Sequence, residues 1–166
     1  MVNVVPRRLI SIWRSIMSSP VLTLNGWVAF NLPRTVTALG GSLLTGLVAV
    51  HAYVVITEPG APLYFAIYVA LLTVCCLSAA AAMVFALKPH VPEAGWYFGS
   101  LVCAAFVAIY LVSRWVSLPG LERLTGRWDL SPGTFALVFA AGFIAVHTTV
   151  LSGINVAYPQ RHQWHD

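Results

Sequence analysis

Residues 62–88 read PLYFAIYVALLTVCCLSAAAAMVFALK, and nothing between Pro62 and Lys88 carries a formal charge or an imidazole. As an α-helix, a run of this length measures roughly 39 Å at 1.5 Å per residue. That crosses a hydrocarbon core of about 30 Å and leaves a turn for the headgroups. Membrane-crossing strands are near 10 residues long and alternate in polarity; this run does neither. Three further runs follow the same plan, each opening at one proline and stopping short of another: Pro33 to Glu58, Pro92 to Leu118 and Pro132 to Tyr158. Proline suits the first turn of a helix, where its missing N–H has no partner to lose, and it cannot continue a helix from within. Ser131 is placed to cap the last run, and Glu93 adds an acid to the first turn of the third. Only helices and closed barrels satisfy the backbone in lipid, so the spacing predicts an all-α integral membrane protein. Its four transmembrane helices are 33–58, 62–88, 92–118 and 132–158.

Composition agrees. The 166 residues are 59% hydrophobic and 8% charged, against roughly 45–50% apolar and 25% charged in ordinary soluble domains. A monomeric soluble fold is excluded, and so is a disordered chain, which needs the opposite balance. Residues 59–61 and 89–91 are short links, which make sequential helices antiparallel neighbours. The third link, Pro119 to Ser131, is longer and polar. It reads as a surface-lying turn anchored by Trp128 or, since loops beyond minimal length often carry recognition, as a docking element.

The basic residues set an orientation. Arg7, Arg8, Arg14, Arg34, Lys88 and Arg161 fall on one side, and Arg114, Arg123 and Arg127 on the other with Glu122 and Asp129. The excess ahead of the first span predicts that both termini, including the 159–166 tail, are cytoplasmic in an inner or plasma membrane. The net charge of +4 lies mostly on membrane-flanking segments and does not imply nucleic-acid binding.

Residues 1–32 form a separate cytoplasmic-side segment. Arg14 interrupts the only early apolar stretch, so no signal peptide is expected. Leu9, Ile12, Trp13, Ile16 and Met17 share one helical face and Arg7, Arg8, Ser11 and Arg14 the other. That pattern predicts a short amphipathic interfacial helix between Pro6 and Pro20, lying on anionic lipid or docked on a partner subunit. Asn25-Gly26 between apolar residues is a hairpin signal, with an irregular interfacial stretch anchored by Trp27 as the alternative.

Two histidines interrupt the spans, and ionisable groups at that depth are functional candidates. A b-type haem held by His51 and His147 is the sharpest possibility. His51 lies 18 residues past Pro33 and His147 15 past Pro132, roughly 27 and 22 Å along antiparallel helices. Their depths then differ by about 10 Å, which fits one haem poorly and favours hydrogen-bonded neutral imidazoles; a proton path is the third option. Cys75, Cys76 and Cys103 lack metal-site spacing and read as small buried hydrophobes. His162 and His165, with Asp166, are a weak divalent-metal candidate in the tail. No phosphate loop, HExxH, nucleophile elbow or paired acids appear in the chain, so no catalytic residues and no cofactor of its own are expected. Small residues recur every four positions at Gly95, Gly99 and Cys103, at Thr37, Gly41 and Thr45, and at Ala141, Ala145, Thr149 and Gly153. Such rows let helices approach closely, within the bundle or against another protein.

The segment Ser113-Arg114-Trp115-Val116-Ser117-Leu118-Pro119-Gly120, followed by Gly126-Arg127-Trp128, resembles a segment of small four-span actinobacterial membrane proteins. Those carry a similar Ser-Arg-x-x-x-Leu-Pro-Gly and then Gly-x-Trp between their last two spans. The Arg-, Ala- and Val-rich composition looks like high-GC actinobacterial usage. The resemblance implies an accessory subunit without cofactors of its own, packed against larger integral subunits such as those of the respiratory bc1–aa3 supercomplex. Two function classes therefore follow from the sequence. One is a non-catalytic accessory or assembly subunit; the other is a small membrane cytochrome or carrier using His51 and His147.

Overall fold

Among the described residues, four α-helices run in chain order: α1 (Pro33–Thr57), α2 (Leu63–Phe85), α3 (His90–Trp115) and α4 (Ser131–Leu151). This computed structural model describes residues 32–58, 60, 62–85, 90–117, 119, 126, 131–152, 154, 155 and 157. The expected amphipathic helix (Leu9, Ile12, Trp13, Ile16, Met17), Trp128, His162 and His165 lie outside them. Each helix packs antiparallel on its sequence neighbours, and α4 closes on α1, so the bundle is a four-sided ring. All four helices are long and apolar enough to cross a membrane.

The helix ends show which local signals prevail. Pro33 opens α1 in its first turn, as expected. α3 starts two residues earlier than its proline suggests, at His90. Pro92 still falls in the first turn, where N–H groups have no intrahelical acceptor, so the extra residues cost nothing there. Ser131 is the first residue of α4 rather than its cap. The largest departure is at the other end of α4, which stops at Leu151 instead of running to Tyr158. There the Thr149 carbonyl accepts the N–H groups of Ile154 and Asn155 at 3.0 and 3.1 Å. The Asn155 amide donates to Thr149 Oγ1 at 2.8 Å. The chain thus turns back on the last helical turn, and Thr37 Oγ1 donates to the Ala157 carbonyl at 2.9 Å, fixing the segment to the start of α1.

Packing of shapes holds the ring together. Trp96, Phe143, Leu44, Leu47, Met83, Cys76 and Cys103 are the largest fully buried side chains. Aromatic rings sit in notches left by glycines. A Cβ on Gly40 would lie 2.6 Å from Trp96 Cη2, one on Gly99 2.7 Å from Phe143 Cζ, and one on Gly46 2.7 Å from Phe139 Cε1. Around Trp96 all four helices meet: Gly40 from α1, Met83 from α2, and Phe143 of α4 stacked on the indole at 5.1 Å between centroids. Gly95 adds the α2–α3 seam, its Cβ position 3.0 Å from the Ala79 carbonyl.

The outside is apolar too. On α2, Ile67, Leu71, Val74 and Leu77 are each more than half exposed, which suits a helix surrounded partly by lipid. Between lipid and an apolar interior the hydrophobic effect has little to choose, so close packing selects the inward face. Polar side chains on the outer faces are satisfied locally. Ser42, Thr45, Thr57 and Ser78 each donate to the carbonyl four residues back in their own helix. No bare hydroxyl is thereby presented to lipid at these positions.

Candidate functional site

α3 positions most of the buried polar chemistry. Trp96, Ser100, Phe106, Tyr110 and Arg114 project from it toward the other helices. His147 on α4 is buried, its Nδ1 2.6 Å from Ser100 Oγ. Its ring stacks on Trp96 (5.6 Å between centroids) and meets Tyr97 edge-on (5.0 Å). His51 on α1 is buried elsewhere. Its Nδ1 lies 2.8 Å from the Leu47 carbonyl of its own helix, and its ring packs edge-on against Phe106 (5.2 Å) and Tyr68 (5.8 Å). The two imidazoles are therefore not brought together. Their contacts on α3, Ser100 and Phe106, are six residues apart, about 9 Å along the helix axis.

Arg114, at the opposite end of α3 from Trp96, is also buried. Its guanidinium carbon lies 4.5 Å from the Tyr110 ring centroid, a cation–π distance. Its Nη2 lies 2.9 Å from the Cβ position of Gly133 in the first turn of α4, as does Tyr110 Cε2, so a side chain there would have to displace them. Arg114 also anchors the link beyond it: its carbonyl accepts the Gly126 N–H at 2.9 Å, where Gly126 has a left-handed φ of 73°. Glycine adopts that conformation without steric penalty. Tyr64 Oη donates to the Pro119 carbonyl at 2.7 Å, tying the same link to α2. Three residues of the Ser-Arg-x-x-x-Leu-Pro-Gly…Gly-x-Trp segment, Arg114, Pro119 and Gly126, thus share one structural task, holding the α3–α4 link to the bundle.

Of the small-residue rows, Gly95, Gly99 and Cys103 lie inside the bundle, between α2 and α4. Being buried there, the two glycines are not available to an outside protein. Ala141 and Ala145 face outward, and Gly41 has open space beside it. Cys76 and Cys103 are buried and Cys75 half-buried, all with free thiols. Among the described residues no three His, Cys, Asp or Glu side chains cluster as a metal site would require. Ser100 escapes a reading of the sequence, and Trp96, which reads there as an interface marker, is fully buried. A serine in an apolar run looks like one more small residue, and only the crossing of α3 and α4 gives it His147 as a partner.

Replacing Ser100 by alanine removes the inter-helical hydrogen bond and leaves a buried ring nitrogen unsatisfied. Polar contacts between membrane helices contribute about 0.6 kcal/mol on average and up to about 1.7. Ser100→Ala is expected to destabilise the bundle by about 1 kcal/mol in detergent unfolding. A variant as stable as the parent contradicts the pairing.

The fold defines a class: an all-α, multi-pass membrane protein built as a ring of four spans. No family model, curated protein or solved structure matches the chain.

Proposed function

We propose that the chain is a non-catalytic accessory or assembly subunit of a larger membrane complex, a respiratory electron-transfer complex of the bc1–aa3 type. It has no cofactor of its own. One observation carries this reading. The meeting point of the four helices is filled by Trp96, Met83 and Phe143, wedged against Gly40 and Gly99. A bundle closed in this way offers its surfaces, rather than its centre, for use. The resemblance of the Ser113–Trp128 segment to four-span actinobacterial proteins supplies the respiratory context. The 9 Å offset between the contact levels of His51 and His147 favours this reading over a cytochrome or carrier built on the two imidazoles.

In the proposed arrangement both termini are cytoplasmic, and the α1–α2 and α3–α4 links face outward across a plasma membrane. Fusing alkaline phosphatase after residue 125 is expected to give activity, and fusion after residue 90 none. The opposite pattern overturns the orientation.

The role itself is tested in membranes from cells lacking the chain. Assembled respiratory complex is expected to fall in amount while turnover per complex stays within a few-fold of the parent. Full assembly with turnover reduced more than about tenfold, roughly 1.4 kcal/mol of barrier, would instead place the chain in the reaction path.

A further inference from the structure

Among the described residues, Nε1 of Trp96 and Nε2 of His147 are buried without a hydrogen-bond partner. Trp96 is fully buried and His147 is 3% exposed. Both belong to one stack, with centroids 5.6 Å apart and ring planes inclined by 29°. The indole nitrogen only donates. The role of Nε2 follows from the other imidazole nitrogen. The Ser100 Oγ–Nδ1 separation of 2.6 Å is shorter than the usual N–H donor range of about 2.7–3.2 Å and suits an O–H donor. Ser42, Ser78 and Ser113 send their hydroxyl hydrogens to carbonyls of their own helices; the Ser100 hydroxyl instead faces Nδ1 of His147 on α4. With Ser100 as the donor, Nδ1 accepts and the proton of the neutral imidazole sits on Nε2.

In that tautomer the Trp96–His147 stack presents two N–H donors that meet no acceptor among the described residues. Proteins rarely leave such donors unmet, and a buried water with several polar partners is the usual remedy. We propose that the stack is an internal hydration site, in which water accepts the Nε1–H of Trp96 and the Nε2–H of His147. The hydrogens of that water pass to helix carbonyls, each of which has a second lone pair. The surroundings select so small a guest. Phe143 covers the indole at 5.1 Å, and the Cζ2–Cη2 edge of the ring lies against Gly40, so these sides of the ring are closed to a larger guest.

The test is made on the full-length chain, labelled with 15N, in detergent micelles. The Trp96 indole resonance is assigned by its loss in Trp96→Phe. If that variant does not fold, through-space contacts to the Phe143 ring assign it in the parent. The expected result is an unprotonated Nδ1 at His147 and cross-peaks from both N–H groups to water. A protonated Nδ1 overturns the proposal. So do N–H groups with no water contact, or contacts to lipid or detergent protons in place of water.

Discussion

Replacing Gly99 by leucine is expected to unfold the bundle, whereas the same replacement at Gly41, on the diagonally opposite helix α1, leaves it standing. A Cβ at Gly99 falls 2.7 Å from Phe143 Cζ and 2.9 Å from Cε1. Phe143 has nowhere to retreat, because it is fully buried and stacked on Trp96. Trp96 is blocked in turn, since its Cη2 already lies 2.6 Å from the Cβ position of Gly40. Overpacking a well-filled core by a few methylenes costs about 1–3 kcal/mol. Leucine here pushes on a chain of three rigid groups, so its cost sits at or above the top of that range. At Gly41 a Cβ meets nothing within 4 Å, and outward substitutions away from special features usually stay within about 0.5 kcal/mol. Thermal unfolding in detergent separates the two variants. Equal stability at the two sites would mean that the aromatic-in-glycine contacts do not hold the bundle.

The second large effect belongs to the segment ahead of α1. Read as a helix from the sequence, Leu9, Ile12, Trp13, Ile16 and Met17 would share one apolar stripe, and each large side chain removed from water contributes roughly 1.5–3 kcal/mol. Attraction of its arginines to anionic lipid adds about 1 kcal/mol per charge. Ile12→Glu combined with Ile16→Glu removes two apolar anchors and adds two negative charges, so docking on either surface is expected to fail. The four spans still insert, because neither substitution touches them. On the accessory-subunit reading, the double variant reaches the membrane but no longer co-purifies with its complex. Retained co-purification with newly protease-accessible residues 1–20 assigns the stripe to lipid instead. Retained co-purification with unchanged accessibility overturns both assignments.

Much of the architecture was legible because membrane spans are punctuated strongly. Prolines mark the starts of α1 and α4 to within a residue, and the short 59–61 and 89–91 links dictate antiparallel neighbours. Which side of each helix faces inward was not legible. Where apolar residues surround a helix, no polar face marks the outside, and packing geometry alone decides. Gly95, Gly99 and Cys103 turn inward while Ala141 and Ala145, spaced in the same way, turn outward. The early stop of α4 depends on Thr149 gathering the Ile154 and Asn155 N–H groups, a local competition that an apolar run conceals. Arg114 illustrates the same limit. In sequence it is an interfacial charge, and only the approach of α4 at Gly133 and the Tyr110 ring show why it is buried. His51 and His147 stood out as buried polar groups, but Leu47 and Ser100, the partners that define their environments, did not.

The most direct measurement is affinity purification of the chain from its native membrane in mild detergent, followed by mass spectrometry and a reduced-minus-oxidised spectrum. The account predicts near-stoichiometric recovery of larger integral redox subunits, with every haem signal following those subunits when a harsher detergent strips the chain away. A chain that purifies alone and carries its own haem spectrum, lost on replacing His51 or His147 by glutamine, would contradict it.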